Sequence, residues 1–234
     1  DAMVGLEHAH IDGGTLGTAN GGVIETLSRT STFLDVTIAN GSFVDTSAST
    51  VLGLQGSTVL DGMVTFEGDG RFRLEGAGAE IAGPAHTAVE LDNDGTIEGA
   101  GKIGGDDRRF VLVNERSGVI DANGGQALII DNDSPGSADS QPGNAVINTG
   151  MIEATGHGGL TIDNTTISNA TDAAHDTGQV DVLARSRITL DNATILNGFV
   201  SIASGGEMLT ANGTSNTIDT ADGQDNLSTV TLSN

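Results

Sequence analysis

Thirty-two Asp and Glu and five His stand against nine Lys and Arg in this 234-residue chain, so any chemistry it does starts from oxygen ligands and acid groups. Asp131-Asn132-Asp133-Ser134-Pro135-Gly136-Ser137-Ala138-Asp139 gathers three carboxylates and a turn glycine in nine residues. Hard Ca²⁺ takes about six to eight oxygens from flexible polar loops, which makes Asp131, Asp133 and Asp139 the candidate metal ligands. The run lacks the third Asp at EF-hand spacing and the terminal Glu. Its other reading is a solvated loop whose Asp and Asn residues make turns. No motif requires a cofactor, and Ca²⁺ is the one ion the composition favours.

Other groups carry weaker chemistry. Glu7-His8-Ala9-His10 would set two imidazoles on one strand face about 7 Å apart, with Asp12 next on that face, a spacing open to a transition metal or to plain solvent exposure. His86, His157 and His175 are isolated in turn-like sequence. Asp222-Gly223-Gln224-Asp225-Asn226-Leu227 has the look of one RTX nonapeptide, without the neighbouring copy that would complete a site. Positive charge is concentrated in Arg71, Arg73, Lys102, Arg108, Arg109 and Arg116. Of these, Arg71, Arg73, Arg108 and Arg109 are the candidate ligands for an acidic sugar, the site that a polysaccharide-binding or polysaccharide-cleaving module would need. Asp106-Asp107-Arg108-Arg109 reads equally as a self-paired exposed loop. Carboxylate pairs for glycosidic cleavage are too numerous to single out one. Tyr and Trp are absent, so no aromatic platform for sugar stacking exists. No residue is assigned a catalytic role, and the chain is expected not to be an enzyme.

The scaffold beneath these residues is legible from composition. Glycine reaches 35 residues and aromatics only 3%, so the core must be thin and built from small aliphatics. A net charge of −23 repels phosphate backbones and anionic lipid heads, which argues against nucleic acid and membrane surfaces. The longest apolar runs, 110–113 and 127–130, fall far short of the ~20 residues of a spanning helix, so no membrane insertion is expected. Absence of Cys excludes disulfides and thiol catalysis. The start at Asp1, without a leader, is read as that of a piece processed from a longer chain.

Gly, Asn, Thr and Ser interrupt every helical window, whereas short segments of period two recur: 33–38, 72–75, 89–92, 160–163, 187–191 and 199–202. Three of the segments align as polar-polar-Gly-x-Ile-acid-small: Asn93 to Gly99, Arg116 to Ala122 and Asn148 to Ala154. Ile97 and Ile120 are 23 residues apart and Ile120 and Ile152 are 32 apart, the excess falling in the polar insertion around Ser134 to Asn144. A second unit, Leu-Asp followed by Thr-Ile, recurs at Leu34 to Val44 and Leu190 to Val200. Like segments repeating at this interval predict an all-β fold, a right-handed parallel β-helix (β-solenoid) with a coil of about 23 residues. Ile97, Ile120 and Ile152 should stack inward with Leu91, Leu112, Leu128, Leu160 and Leu190. A sandwich of antiparallel hairpins is the competing fold, and it leaves the repeat unexplained.

The runs Gly13-Gly14-Thr15-Leu16, Gly22-Val23-Ile24-Glu25-Thr26, Leu34 to Ile38, Gly95 to Gly104, Leu112 to Glu115, Gly118 to Gly124 and Ile152 to Gly156 resemble the repeat region of very large secreted bacterial adhesin-like proteins. These giants carry VCBS modules and leave the cell by type I secretion. The resemblance implies an extracellular, cell-surface stalk or spacer serving attachment or biofilm. It implies partners among neighbouring repeats and cell-surface or matrix polysaccharide or protein. On this reading residues 1–12 are a lead-in strand or cap, 13–206 the solenoid and 207–234 its continuation or cap.

Overall fold

The computed structural model describes residues 3–18, 22–85, 87–105, 109–132, 146–169, 178–219 and 232–233. Every regular element among them is a strand, and the strands form parallel sheets. Antiparallel hairpins are absent among the described residues, which removes the sandwich alternative.

Among the described residues the strands form three rows. The first is a ten-stranded sheet of Met3–Glu7, Val23–Ser28, Ser42–Thr46, Met63–Glu67, Val89–Asn93, Phe110–Asn114, Val146–Asn148, Thr166–Ser168, Thr194–Leu196 and Thr217–Asp219. The second runs through His10–Asp12, Thr30–Leu34, Val51–Gln55, the leading parts of Arg71–Ala82 and Thr96–Ile103, then Val119–Ala122, Met151–Ala154, Gln179–Val182 and Phe199–Ile202. The third holds Thr15–Leu16, Thr37–Ala39, Ser57–Asp61, the trailing parts of the same two long strands, Leu128–Asp131, Leu160–Asp163, Arg187–Asp191, Glu207–Thr210 and Leu232–Ser233. Arg71–Ala82 and Thr96–Ile103 belong to two rows and join them into one sheet. Their bends lie at Gly76, Gly99 and Gly101, with φ of 104°, 112° and 148°, which only glycine adopts readily. Through Thr210 the chain visits the rows in constant order, and each strand pairs with its counterpart one pass later.

Register sets the length of a pass. Met3 pairs with Val23 and Val23 with Phe43, twenty residues each time, whereas Val113 pairs with Ile147, thirty-four residues on. The long pass contains residues 133–145, where the sequence analysis placed the polar insertion. The Leu-Asp unit marks two different corners. At Asp35 (φ 53°) the chain turns from the second row to the third, and at Asn192 (φ 51°) from the third to the first. A left-handed Asp or Asn makes the same local turn at either corner, so the local motif repeats without structural equivalence.

Side chains alternate in and out, and the inward ones stack into columns. One column reads Leu52, Phe72, Ile97, Ile120, Ile152, Val180 and Val200. A second reads Ser42, Val64, Leu91, Leu112, Val146, Ile167 and Ile195. Ile97, Ile120, Ile152, Leu91, Leu112, Leu128, Leu160 and Leu190 are all buried, as expected. Each such aliphatic contributes roughly 1.5–3 kcal/mol. Phe66 and Phe72, both fully buried, stack at 4.3 Å between ring centroids in this thin core. No helix among the described residues is long and apolar enough to cross a membrane.

Candidate functional site

The most organised polar group lies inside the molecule. In the first row Phe66 pairs with Asn93, Asn93 with Asn114 and Asn114 with Asn148. Together with Asn169, these asparagines form a fully buried column. Asn93 Nδ2 donates to Asn114 Oδ1 at 2.7 Å, Asn114 Nδ2 to Asn148 Oδ1 at 2.7 Å and Asn148 Nδ2 to Asn169 Oδ1 at 2.8 Å. Asn169 Nδ2 ends the chain of donors on the Asn197 carbonyl at 3.2 Å, while Asn93 Oδ1, facing the Phe66 end, has no donor. The remaining amide hydrogens close the corner toward the second row: Asn114 Nδ2 reaches the carbonyls of Gly118 (3.2 Å) and Met151 (3.1 Å), and Asn148 Nδ2 that of Gln179 (3.2 Å). This packing explains the repeat glycine. A Cβ on Gly118 would sit 2.3 Å from the Asn93 carbonyl oxygen and 2.5 Å from Asn114 Oδ1, and one on Gly150 2.2 Å from the Glu115 carbonyl oxygen. The sequence alignment had set Arg116 opposite Asn93 and Asn148. Register puts Asn114 there, because the turn 115–118 is two residues longer.

Outward, carboxylates stack in register on all three rows. The second row carries Glu98, Asp121 and Glu153, the acid of the repeat alignment, and then Asp181. Its first member is buried and held by both arginines: Arg73 donates from Nε at 2.7 Å and from Nη2 at 2.5 Å, and Arg71 Nε lies 3.4 Å away. Thr155 Oγ1 donates to Asp121 at 2.6 Å, and Gln179 Nε2 to both oxygens of Asp181 at 2.8 and 2.7 Å. Burial, then the neighbouring carboxylates, push the Asp121 and Glu153 carboxyls above their ordinary range; Thr155 and Asn123 partly offset this at Asp121. On the first row Glu25, Asp45 and Glu67 are stacked, with Asp94 following. Asp45 and Glu67 are raised by burial and by these neighbours, Asp45 also by Asp69. Asp92 is raised by burial and by Glu90. The third row stacks Asp131, Asp163 and Asp191.

These columns absorb several of the expected site residues. Asp131 is buried and its Oδ2 pairs with Lys102 Nζ at 2.9 Å, so a cation of the chain itself occupies one of its oxygens. Asp133 and Asp139 lie outside the described residues, as do Arg108, His86, His175 and residues 222–227. Arg71 and Arg73 share one strand and converge on Glu98, whereas Arg109 precedes the first-row strand Phe110–Asn114. His8 and His10 do not share a strand face. Met3–Glu7 ends before His8, which takes φ 52° with Nδ1 3.2 Å from the Thr30 carbonyl oxygen, and His10 opens the next strand. His157 is exposed in a turn. Among the described residues no three His, Asp or Glu side chains are arranged to hold a metal ion.

Sequence reasoning missed the asparagine column because Asn at the edge of a Gly-containing turn is ordinarily part of the turn signal. The available signal was Asn recurring directly after an apolar alternation, at Asn93, Asn114 and Asn148. No protein-family model, curated protein or solved structure matches the chain.

Proposed function

We propose that the chain is a right-handed parallel β-helix with a coil of about 23 residues, acting as a non-catalytic stalk or spacer of a secreted bacterial adhesin-like protein. The observation that carries this reading is the fixed order in which the chain visits three rows, each strand pairing in parallel with its counterpart one pass later. Such a winding grows along one axis, each pass adding about 4.8 Å. Charge supports the same reading. Arg71 and Arg73 are drawn onto Glu98, and Lys102 onto Asp131, so these bases brace the wall.

The expected particle is a rod on the order of 50 Å long, measurable by small-angle X-ray scattering. The functional alternative is a module that binds or cleaves polysaccharide. Incubation with acidic and neutral bacterial polysaccharides should release no reducing ends or unsaturated products. Turnover that disappears in Arg71→Ala or Arg109→Ala would replace the spacer with an enzyme. Ca²⁺ should stabilise the chain mainly by screening its −23 charge. Tm should then rise nearly as much in NaCl of equal ionic strength, and a Ca²⁺-specific excess removed by Asp131→Asn, Asp133→Asn and Asp139→Asn together would establish a dedicated loop site.

A further inference from the structure

The second-row carboxylates are not equivalent. Glu98 meets two guanidinium groups, Asp121 accepts from Thr155, and Asp181 accepts from Gln179. Glu153 stands between Asp121 and Asp181 in register, with neither a donor nor a cation on its carboxylate among the described residues. Its neighbours on the same side of its own strand line are Met151 and Thr155, both uncharged. The corresponding neighbours of Asp121 are Val119 and Asn123, and those of Asp181 are Gln179 and Leu183. The charged groups facing Glu153 from the two strands packed against it are therefore Asp121 and Asp181, both anionic.

We propose that this column is a pH-sensitive element of the wall, with Glu153 as its proton acceptor: at neutral pH three stacked carboxylates repel, and on mild acidification Glu153 takes up a proton and can donate a hydrogen bond to a neighbouring carboxylate. Strand pairing enforces the repulsion, since parallel register fixes adjacent passes about 4.8 Å apart and leaves the carboxylates no way to separate except by rotating outward. Proton uptake removes one charge from the middle of the three, where it relieves two contacts at once. The upward displacement of the Glu153 carboxyl by burial and by Asp121 and Asp181 agrees with this. In the unfolded chain Glu153 titrates near its ordinary value of 4.5. The folded state therefore holds the proton to higher pH. The stabilisation is complete below the ordinary value and is lost as pH rises through the folded one.

Two measurements on the full chain test this. Carbon-detected NMR titration of the side-chain carboxyls should give Glu153 a midpoint above its ordinary value of 4.5, and Asp121→Asn should lower that midpoint. Thermal unfolding should show Glu153→Gln raising Tm at about pH 7 by roughly 1–2 °C, with the gain vanishing below about pH 4. Asp61→Asn supplies the control, because it removes the same charge at an exposed position whose register partner is Ala39. It should raise Tm by less. A Glu153 midpoint no higher than its ordinary value of 4.5, or equal Tm gains in the two variants, would overturn the proposal. The wild-type titration alone decides it should Glu153→Gln fail to fold.

Discussion

The inward column of the first row is built in two ways along its length. In the leading passes it holds Ile24, Val44 and Phe66; from the next pass on it holds Asn93, Asn114, Asn148 and Asn169. Both halves keep the same parallel backbone pairing and both are fully buried, so burial does not choose between them. The corner that follows does. After Asn114 and Asn148 the carbonyls of Gly118, Met151 and Gln179 point back at the column, and the asparagine amides donate to them. In the leading passes hydroxyls serve instead: Thr46 Oγ1, two positions after Val44, donates to the Glu67 carbonyl at 3.3 Å, and Thr50 Oγ1 donates to the Ser47 carbonyl at 2.7 Å while sitting 2.6 Å from Thr26 Oγ1. A thin wall can thus be sealed by oil or by amide, provided every exposed carbonyl of the corner finds a hydrogen. The asparagine solution is the more brittle, since each amide depends on two neighbours.

That brittleness is measurable. Asn114→Ala strips a partner from Asn93 and from Asn148 at once, leaving a buried donor and a buried acceptor unmet, and should cost about 4 kcal/mol in urea unfolding. Asn93→Ala, at the end of the column, orphans only one neighbour and removes an oxygen already without a donor, so about 2 kcal/mol is expected. Equal losses at the two positions would show that the amides act singly. Gly118→Ala forces a Cβ to 2.3 Å from the Asn93 carbonyl oxygen and should cost about 3 kcal/mol by the same measurement, with the loss concentrated in the asparagine half by hydrogen exchange. In the aliphatic half, Phe66→Leu gives up the ring stack on Phe72 but keeps the wall apolar, and a cost of only about 1 kcal/mol is expected. A cost as large as that of Asn114→Ala would erase the distinction between the halves.

The smallest effect concerns the outer face of the leading passes. Burial first, then Asp45 and Asp94, raise the Glu67 carboxyl above its ordinary value of 4.5. Stability from this group is present below that value and lost as pH rises through the folded one, so Glu67→Gln should gain a few tenths of a kcal/mol at neutral pH and nothing in acid. Thermal scans across that range check it.

Composition and repeat were enough to predict parallel strands, an aliphatic core and the inward stacking of Ile97, Ile120 and Ile152, because period-two alternation and like-with-like recurrence are local properties that pairing preserves. The repeat also contained the acid column, since Glu98, Asp121 and Glu153 occupy one position of the aligned segments. Register was a different matter. Asn114 lies two residues upstream of where the alignment looked, and turn length, which decides that offset, depends on which carbonyls the next pass presents. The same holds for charge: Arg71 and Arg73 read as free ligands in one dimension and become the clamp on Glu98 once the following pass is laid beside them. Asp131 likewise reads as a loop ligand until pairing sets Lys102 beside it. Local alternation is written in the order of residues, whereas the partner of a side chain some twenty residues away is chosen by how the passes stack.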